Sequence, residues 1–208
     1  ETGGMWLQKA THDFDYINYL LEKKPLMIAA TTSKQVFKGD HQVGLYCKNC
    51  QENKKCKESP YNPDVILHKD EWMVPDQYMC AFAPDAANED SGSCIIMYES
   101  GMHIAYSQNF HVKFKAGKRG ARLIGYDGTV EFDLYNDEIK VFYHHKDKME
   151  TYKIDLDKDQ GHNGGDIALV ENFISVISGK CVSVSTLEEG ILSVATCLAA
   201  KRSSQNHT

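Results

Sequence analysis

The sequence predicts an α+β fold: an open, mainly antiparallel β-sheet with helices packed on one face. Three observations predict it. Short β-rich runs succeed one another from Ser93 onwards, with turn residues between them. Amphipathic helical stretches stand near the two ends of the chain, at residues 11–21 and beyond Asp166. No strand–glycine loop–helix unit of the parallel α/β type lies between them.

Taken in order, Phe14, Ile17, Leu20 and Leu21 recur at helical spacing, with Thr11 as N-cap candidate and Asp13 and Asp15 suited to a positive first turn. Pro25 follows the end of this helix, and residues 26–37 are β-branched and apolar enough for a strand. Residues 38–63 are polar and cysteine-bearing, an insertion or long loop whose charges read as a solvated face. Residues 65–83 predict irregular chain with a short helix. The β-rich runs are 94–98, 102–114, 121–126, 129–134, 139–144 and 151–154. The Asp127-Gly128 link has the composition of a type I′ hairpin turn, where both central residues have φ > 0. Links this short force antiparallel pairing, so the runs predict a meander of five or six strands. Two helices close the chain. Residues 166–178 carry Ile167, Val170, Phe173, Ile174 and Ile177 on one face, and Gly179 fits the residue just past its end. Ser185 or Thr186 opens a capping box for the second, which runs through Ile191, Val194, Ala195 and Leu198 to about Lys201.

The 208 residues, 42% hydrophobic and 25% charged, suit one domain with a full core. Residues 1–3 read as a scar of a cleaved secretion leader, 4–202 as a single domain with the insertion at 38–63, and 203–208 as a flexible tail. A net charge of -6 argues against nucleic acid or an anionic membrane as partner. No apolar run approaches the roughly 20 residues of a membrane-spanning helix. The scar, and an Asn206-His207-Thr208 glycosylation sequon, point to a secreted product.

Seven cysteines leave at least one thiol unpaired within the chain. Cys47, Cys50 and Cys56 cluster as a disulfide or zinc candidate. A structural zinc site wants four ligands and only three are local, so the sequence assigns no metal; Cys80, His41 or His68 are candidates for a fourth. In a secreted product the same thiols would favour disulfides.

Four stretches, in order, carry a family resemblance. They are Gly3-Gly4-Met5-Trp6 leading to His12-Asp13-Phe14-Asp15; the cysteine-bearing run from Cys47; Arg122-Leu123-Ile124-Gly125 through Glu131; and Gly161-His162-Asn163-Gly164-Gly165-Asp166 with the later Ser185-Thr186-Leu187-Glu188-Glu189-Gly190. Together they resemble the C-terminal domain of the glucose–fructose oxidoreductase/inositol dehydrogenase (Gfo/Idh/MocA) family across nearly the whole chain.

The resemblance implies a domain that covers a nicotinamide held by a separate Rossmann domain. It implies sugars or polyols as substrates, a homo-oligomer through the outer sheet face, and cytoplasmic location. One branch of the family uses NAD for glycoside cleavage. NAD or NADP is implied by the family alone. The chain has no Gly-x-Gly-x-x-Gly unit, so no cofactor-binding residue is assigned and the chain is expected not to bind the cofactor by itself. By the same resemblance His12 is the catalytic candidate, an imidazole suited to moving a hydroxyl proton near neutral pH. Asp15, His162 and Asp166 are the substrate-binding candidates, with Asp166 also a natural helix N-cap. The chain departs from the family at Gln8, where many members carry an aspartate four residues before the histidine. Gln8 hydrogen-bonds but is no base, and nothing marks Lys9 as a substitute for the family's lysine. A second reading follows from that departure: a non-catalytic extracellular or viral recognition domain with a protein receptor, built on the same fold.

Overall fold

The computed structural model describes residues 3–65, 75–86, 88–154 and 161–207. The chain divides into two compact units where the sequence predicts one domain: Glu1–His111 with Leu187–Thr208, and Val112–Thr186.

In the first unit, a turn of π-helix at Trp6–Ala10 runs directly into α1 (Thr11–Leu21). Strand β1 (Pro25–Ser33) follows, and β2 (Ser91–Tyr98) and β3 (His103–Asn109) come after the long polar segment. The three strands pair antiparallel in the order β1-β2-β3. Register places Ile28, Ile96 and Ile104 in one row and Ala30, Cys94 and Tyr106 in the next. Burial along β2 alternates strictly, so Gly92, Cys94, Ile96 and Tyr98 face inward and Ser93, Ile95 and Met97 face out. The inner face meets α1 and the closing helix α3 (Leu187–Asn206) around a core of Trp6, Ala10, Phe14, Cys94, Ile96, Tyr98, Cys197 and Ala200.

The long closing helix packs with small side chains. Ser193, Thr196, Cys197, Ala200, Ser203 and Ser204 are its buried residues, which lets its backbone approach β1. The Ala30 amide donates to Ser203 Oγ at 2.8 Å, so α3 takes up a backbone donor of the edge strand. This corrects two expectations. The helix continues past Lys201 to Asn206, and residues 203–206 are helical rather than a flexible tail. Two buried serines with backbone acceptors or donors in reach hold them there.

In the second unit, β4 (Gly120–Ile124), β5 (Gly128–Asp133), β6 (Glu138–Tyr143) and β7 (Lys148–Lys153) form an antiparallel meander in chain order. The strands thus pair as two antiparallel sheets, within an α+β architecture as expected. The β4–β5 turn is a correction in detail. Ile124 pairs with Thr129 and the Gly125 amide donates to Gly128 O at 2.9 Å, so Tyr126-Asp127 forms the turn and neither residue has positive φ. Gly128 serves a different need: a Cβ there would stand 2.7 Å from Phe142 O on β6. Helix α2 (Gly165–Ile177) ends as predicted. Gly179 adopts φ 69°, its amide donates to Val176 O, and the Lys180 amide donates to Ser175 O, the paired bonds of a Schellman end. The apolar face of α2, with Ile167, Val170, Phe173, Ile174 and Ile177, is exposed.

Candidate functional site

In the first unit, candidate residues gather around the start of α1. Gly4 adopts φ 90°, and the free N-terminal amides of the helical run point at Glu89. The Met5 and Trp6 amides donate to Glu89 Oε1 at 2.7 and 3.3 Å, an anion placed where a helix start favours one. A Cβ on Gly4 would lie 2.7 Å from the same oxygen, so the glycine is needed for this approach. Thr11 is not the N-cap. The π turn has already begun the helix, and Thr11 Oγ1 donates back to Leu7 O at 3.0 Å.

His12 therefore stands inside a helical run and not at its cap. It is exposed, and among the described residues it makes no hydrogen bond or ion pair. Gln8, one turn earlier, is exposed too. Its aspartate neighbours are tied inward. Ser193 Oγ donates to Asp15 Oδ1 at 2.8 Å, which fastens α1 to α3. Tyr106 Oη donates to Asp13 Oδ2 at 2.9 Å. Burial, and then the Asp13 carboxylate, push the Tyr106 phenol well above its ordinary range, so it remains a donor. Tyr106 also packs edge-on against Phe14 at 5.0 Å and against Trp6 at 6.0 Å. It belongs to the inner layer of the three-stranded sheet.

Two buried donors beside this cluster have no protein acceptor among the described residues: Trp6 Nε1 and Gln108 Nε2. Both side chains crowd Gly92, with Trp6 Cζ2 3.1 Å and Gln108 Nε2 3.2 Å from where its Cβ would be. Sequence reasoning missed Gln108, Trp6 and Glu89 as site residues. The only signal was the Gly3-Gly4 pair before Trp6; Glu89 lies 84 residues from Met5 and nothing local announces it.

In the second unit, a short turn at Gly161–Gly164 carries His162, which adopts φ 49°. Gly164 at φ 89° occupies the N-cap position, and Asp166 falls in the first turn of α2. Asp166 is thus not the N-cap. Its Oδ1 instead lies 2.8 Å from His162 Nδ1, and both side chains are exposed. A non-glycine residue held at positive φ is a local cost that the surrounding structure sustains. The structure brings His162 and Asp166 together as a pair, while His12 and Asp15 share α1 but point to different environments. Cys47, Cys50, Cys56 and Cys80 are free thiols; His68 lies outside the described residues.

The profile of an oxidoreductase family's C-terminal alpha/beta domain matches residues 1–208. The Bacillus subtilis (strain 168) protein YteT is 25% identical over 202 residues, covering 82% of this chain and 46% of that protein. Among solved structures, UDP-N-acetylglucosamine 3-dehydrogenase GnnA from Acidithiobacillus ferrooxidans superposes with a TM-score of 0.63 at 11% identity, over 98% of this chain and 48% of the other. The WlbA dehydrogenase from Bordetella pertussis, solved in complex with NADH and UDP-GlcNAcA, gives a TM-score of 0.54 at 14% identity, over 99% of this chain and 44% of the other. At such identities the structural likeness speaks for the fold. The chain spans about half the length of the proteins it matches.

Proposed function

Because the chain belongs to the Gfo/Idh/MocA oxidoreductase family, as its C-terminal alpha/beta domain, we propose that it forms the substrate-facing part of an NAD(P)-dependent enzyme acting on sugars or polyols. The observation that carries this reading is His12. It stands exposed and unpartnered among the described residues, on a helix whose neighbouring carboxylates are engaged by Tyr106 and Ser193. The helix is fixed and the imidazole is left available, which suits a group that must take or give a substrate hydroxyl proton. Asp15 acts by positioning α1 through Ser193. His162, on the turn before α2, and Asp166, in the first turn of α2, act as a hydrogen-bonded pair that presents polar groups to a sugar.

The nicotinamide cofactor supplies hydride transfer when bound, and its binding unit is expected outside these 208 residues. Two features support that division: the chain covers 44–48% of the structures above, and α2 keeps an exposed apolar face of the kind a neighbouring domain covers.

The test is turnover by the intact protein with NAD or NADP and a panel of sugars, nucleotide sugars and polyols. His12→Asn is expected to lower kcat roughly 10²–10⁴-fold while KM changes much less, because the proton moves mainly in the transition state. Equal turnover by wild type and variant would remove His12 from the mechanism.

A further inference from the structure

The described residues within 38–86 bury few apolar side chains. The buried hydrophobic side chains there are Cys47, Cys80 and Ala83, and Ser59 and Asn62 are buried beside them. Phe82 meets the rings of Phe37 and His41 at 5.6 and 5.2 Å. A polar stretch of this length needs another source of order. Four of the seven cysteines fall within it.

The backbone gathers those four. Tyr46 and Met79 form an antiparallel bridge. The Cys47 amide donates to Tyr78 O at 2.9 Å and the Cys80 amide to Leu45 O at 2.8 Å. Cys47 and Cys80 are thereby diagonal neighbours on one face, a relation that sets Cα atoms roughly 7–8 Å apart. A single helical turn, Cys47–Asn49, then returns Cys50 to Cys47, with its amide donating to Cys47 O at 3.2 Å. The Cys56 amide donates to Glu52 O at 2.9 Å, and Asn62 Nδ2 holds Cys56 O at 3.0 Å.

Two of the sulfurs meet nitrogen groups. The Glu58 amide donates to Cys56 Sγ at 3.4 Å. His41 Nδ1 lies 3.3 Å from Cys80 Sγ. The Cys47 thiol itself faces Met79 O at 3.9 Å. A neutral thiol is a weak acceptor, so the N–H groups at Cys56 and Cys80 suit thiolates, whose charge such outer partners spread. Lys48, Lys54, Lys55 and Lys57 line the same loop, exposed, and would balance a site of net negative charge.

Among the described residues no three histidine, cysteine, aspartate or glutamate side chains already stand at the spacing of a formed metal site; binding must draw the sulfurs in. We propose that Cys47, Cys50, Cys56 and Cys80 close as thiolates around one zinc ion, with His41 supporting Cys80 from outside, and that this ion orders residues 38–65 around it. Each thiol proton leaves to solvent, four Zn–S bonds form, and no atom changes oxidation state.

The experiment uses the full chain produced with zinc present and purified under reducing conditions. Elemental analysis is expected to give one zinc per chain. Replacement by cobalt(II) is expected to give the visible bands of a tetrahedral thiolate complex. The double variant Cys47→Ser/Cys80→Ser should lose the metal, whereas Cys181→Ser, an exposed cysteine of the other unit, should keep it. His41→Ala should weaken zinc affinity roughly 10–100-fold. Stripping the metal should make residues 38–65 the first site of proteolysis. The proposal is overturned by a zinc-free protein whose cobalt form lacks those bands, by iron in place of zinc, by disulfides among the four cysteines in the isolated protein, or by full metal content in the double variant. The cobalt spectrum of the wild type decides the matter even if the double variant fails to fold.

Discussion

Asp90 and His12 are opposite uses of a polar side chain. Asp90 is 1% exposed and accepts the amides of Gln35, Val36 and Phe37 at 2.7–2.9 Å. Burial alone would raise its pKa, but the three amide bonds outweigh it and hold the carboxyl below the usual range. The sign follows. A carboxyl with a lowered folded-state pKa stabilises the fold above its unfolded value, roughly 3.9, and that share is lost as pH falls through the lowered value. Asp90→Asn is expected to cost roughly 2–4 kcal/mol at neutral pH, because one amide of the new side chain presents hydrogens to backbone donors. The gap between variant and wild type should shrink in acid; urea unfolding at pH 7 and pH 3 measures both. Asp90 was not legible in the sequence, since its partners lie 53–55 residues away. His12 was legible through its family setting, as was the Gly-His-x-Gly-Gly-Asp run around His162. The bond from Ser193 that occupies Asp15 was not, because it spans 178 residues.

At the level of elements, periodicity was informative. Helix α1, the end of α2 and the strands of the meander appear within a few residues of their expected limits, since alternation and helical spacing are local properties. Ends and turns moved where tertiary demands took over. The strand expected at residues 102–114 stops at Asn109, and Phe114 turns the chain with φ 54°. Glycines shifted role likewise: Gly128 serves strand approach instead of a turn, and Gly92 serves the fit of Trp6. Gly92→Ala is expected to destabilise by roughly 1–3 kcal/mol. Its Cβ would meet Trp6 Cζ2, Gln108 Nε2 and Thr32 Cγ2 at 3.1–3.3 Å, all in the packed inner layer. Thermal unfolding measures the loss, and a wild-type midpoint in the variant would show that the layer yields.

For the whole molecule, the outer face of β1–β3 is the surface on which an expected homo-oligomer would form. Met27, Ile95 and Met97 lie exposed along it, 38–55% accessible. Ile104 and Tyr106, on the same strand system, pack against the core on the other face. Sedimentation is expected to show a dimer, and Ile95→Glu to shift it to monomer, because a charge would be buried without a partner. An unchanged sedimentation profile on Ile95→Glu would move the interface elsewhere. That the fold is α+β was visible from strand and helix order alone. The division into two units was not, because it depends on which distant segments meet.

One of those meetings sets the order in which the chain can be assembled. Helix α3 reaches back to the opposite end of the sequence: Lys201 Nζ donates to Gly3 O across 198 residues, and Ser203 accepts from Ala30 across 173. The meander β4–β7 joins only sequential neighbours. Loop-closure entropy therefore weighs heavily on the first unit and lightly on the second. During synthesis α1 and β1 emerge well before α3, so their apolar inner face stays uncovered until that twenty-residue helix follows. Pulsed hydrogen exchange during refolding should protect amides of β5 and β6 before those of β1 and β2. Simultaneous protection would mean that the unfinished three-stranded sheet is stable without its closing helix.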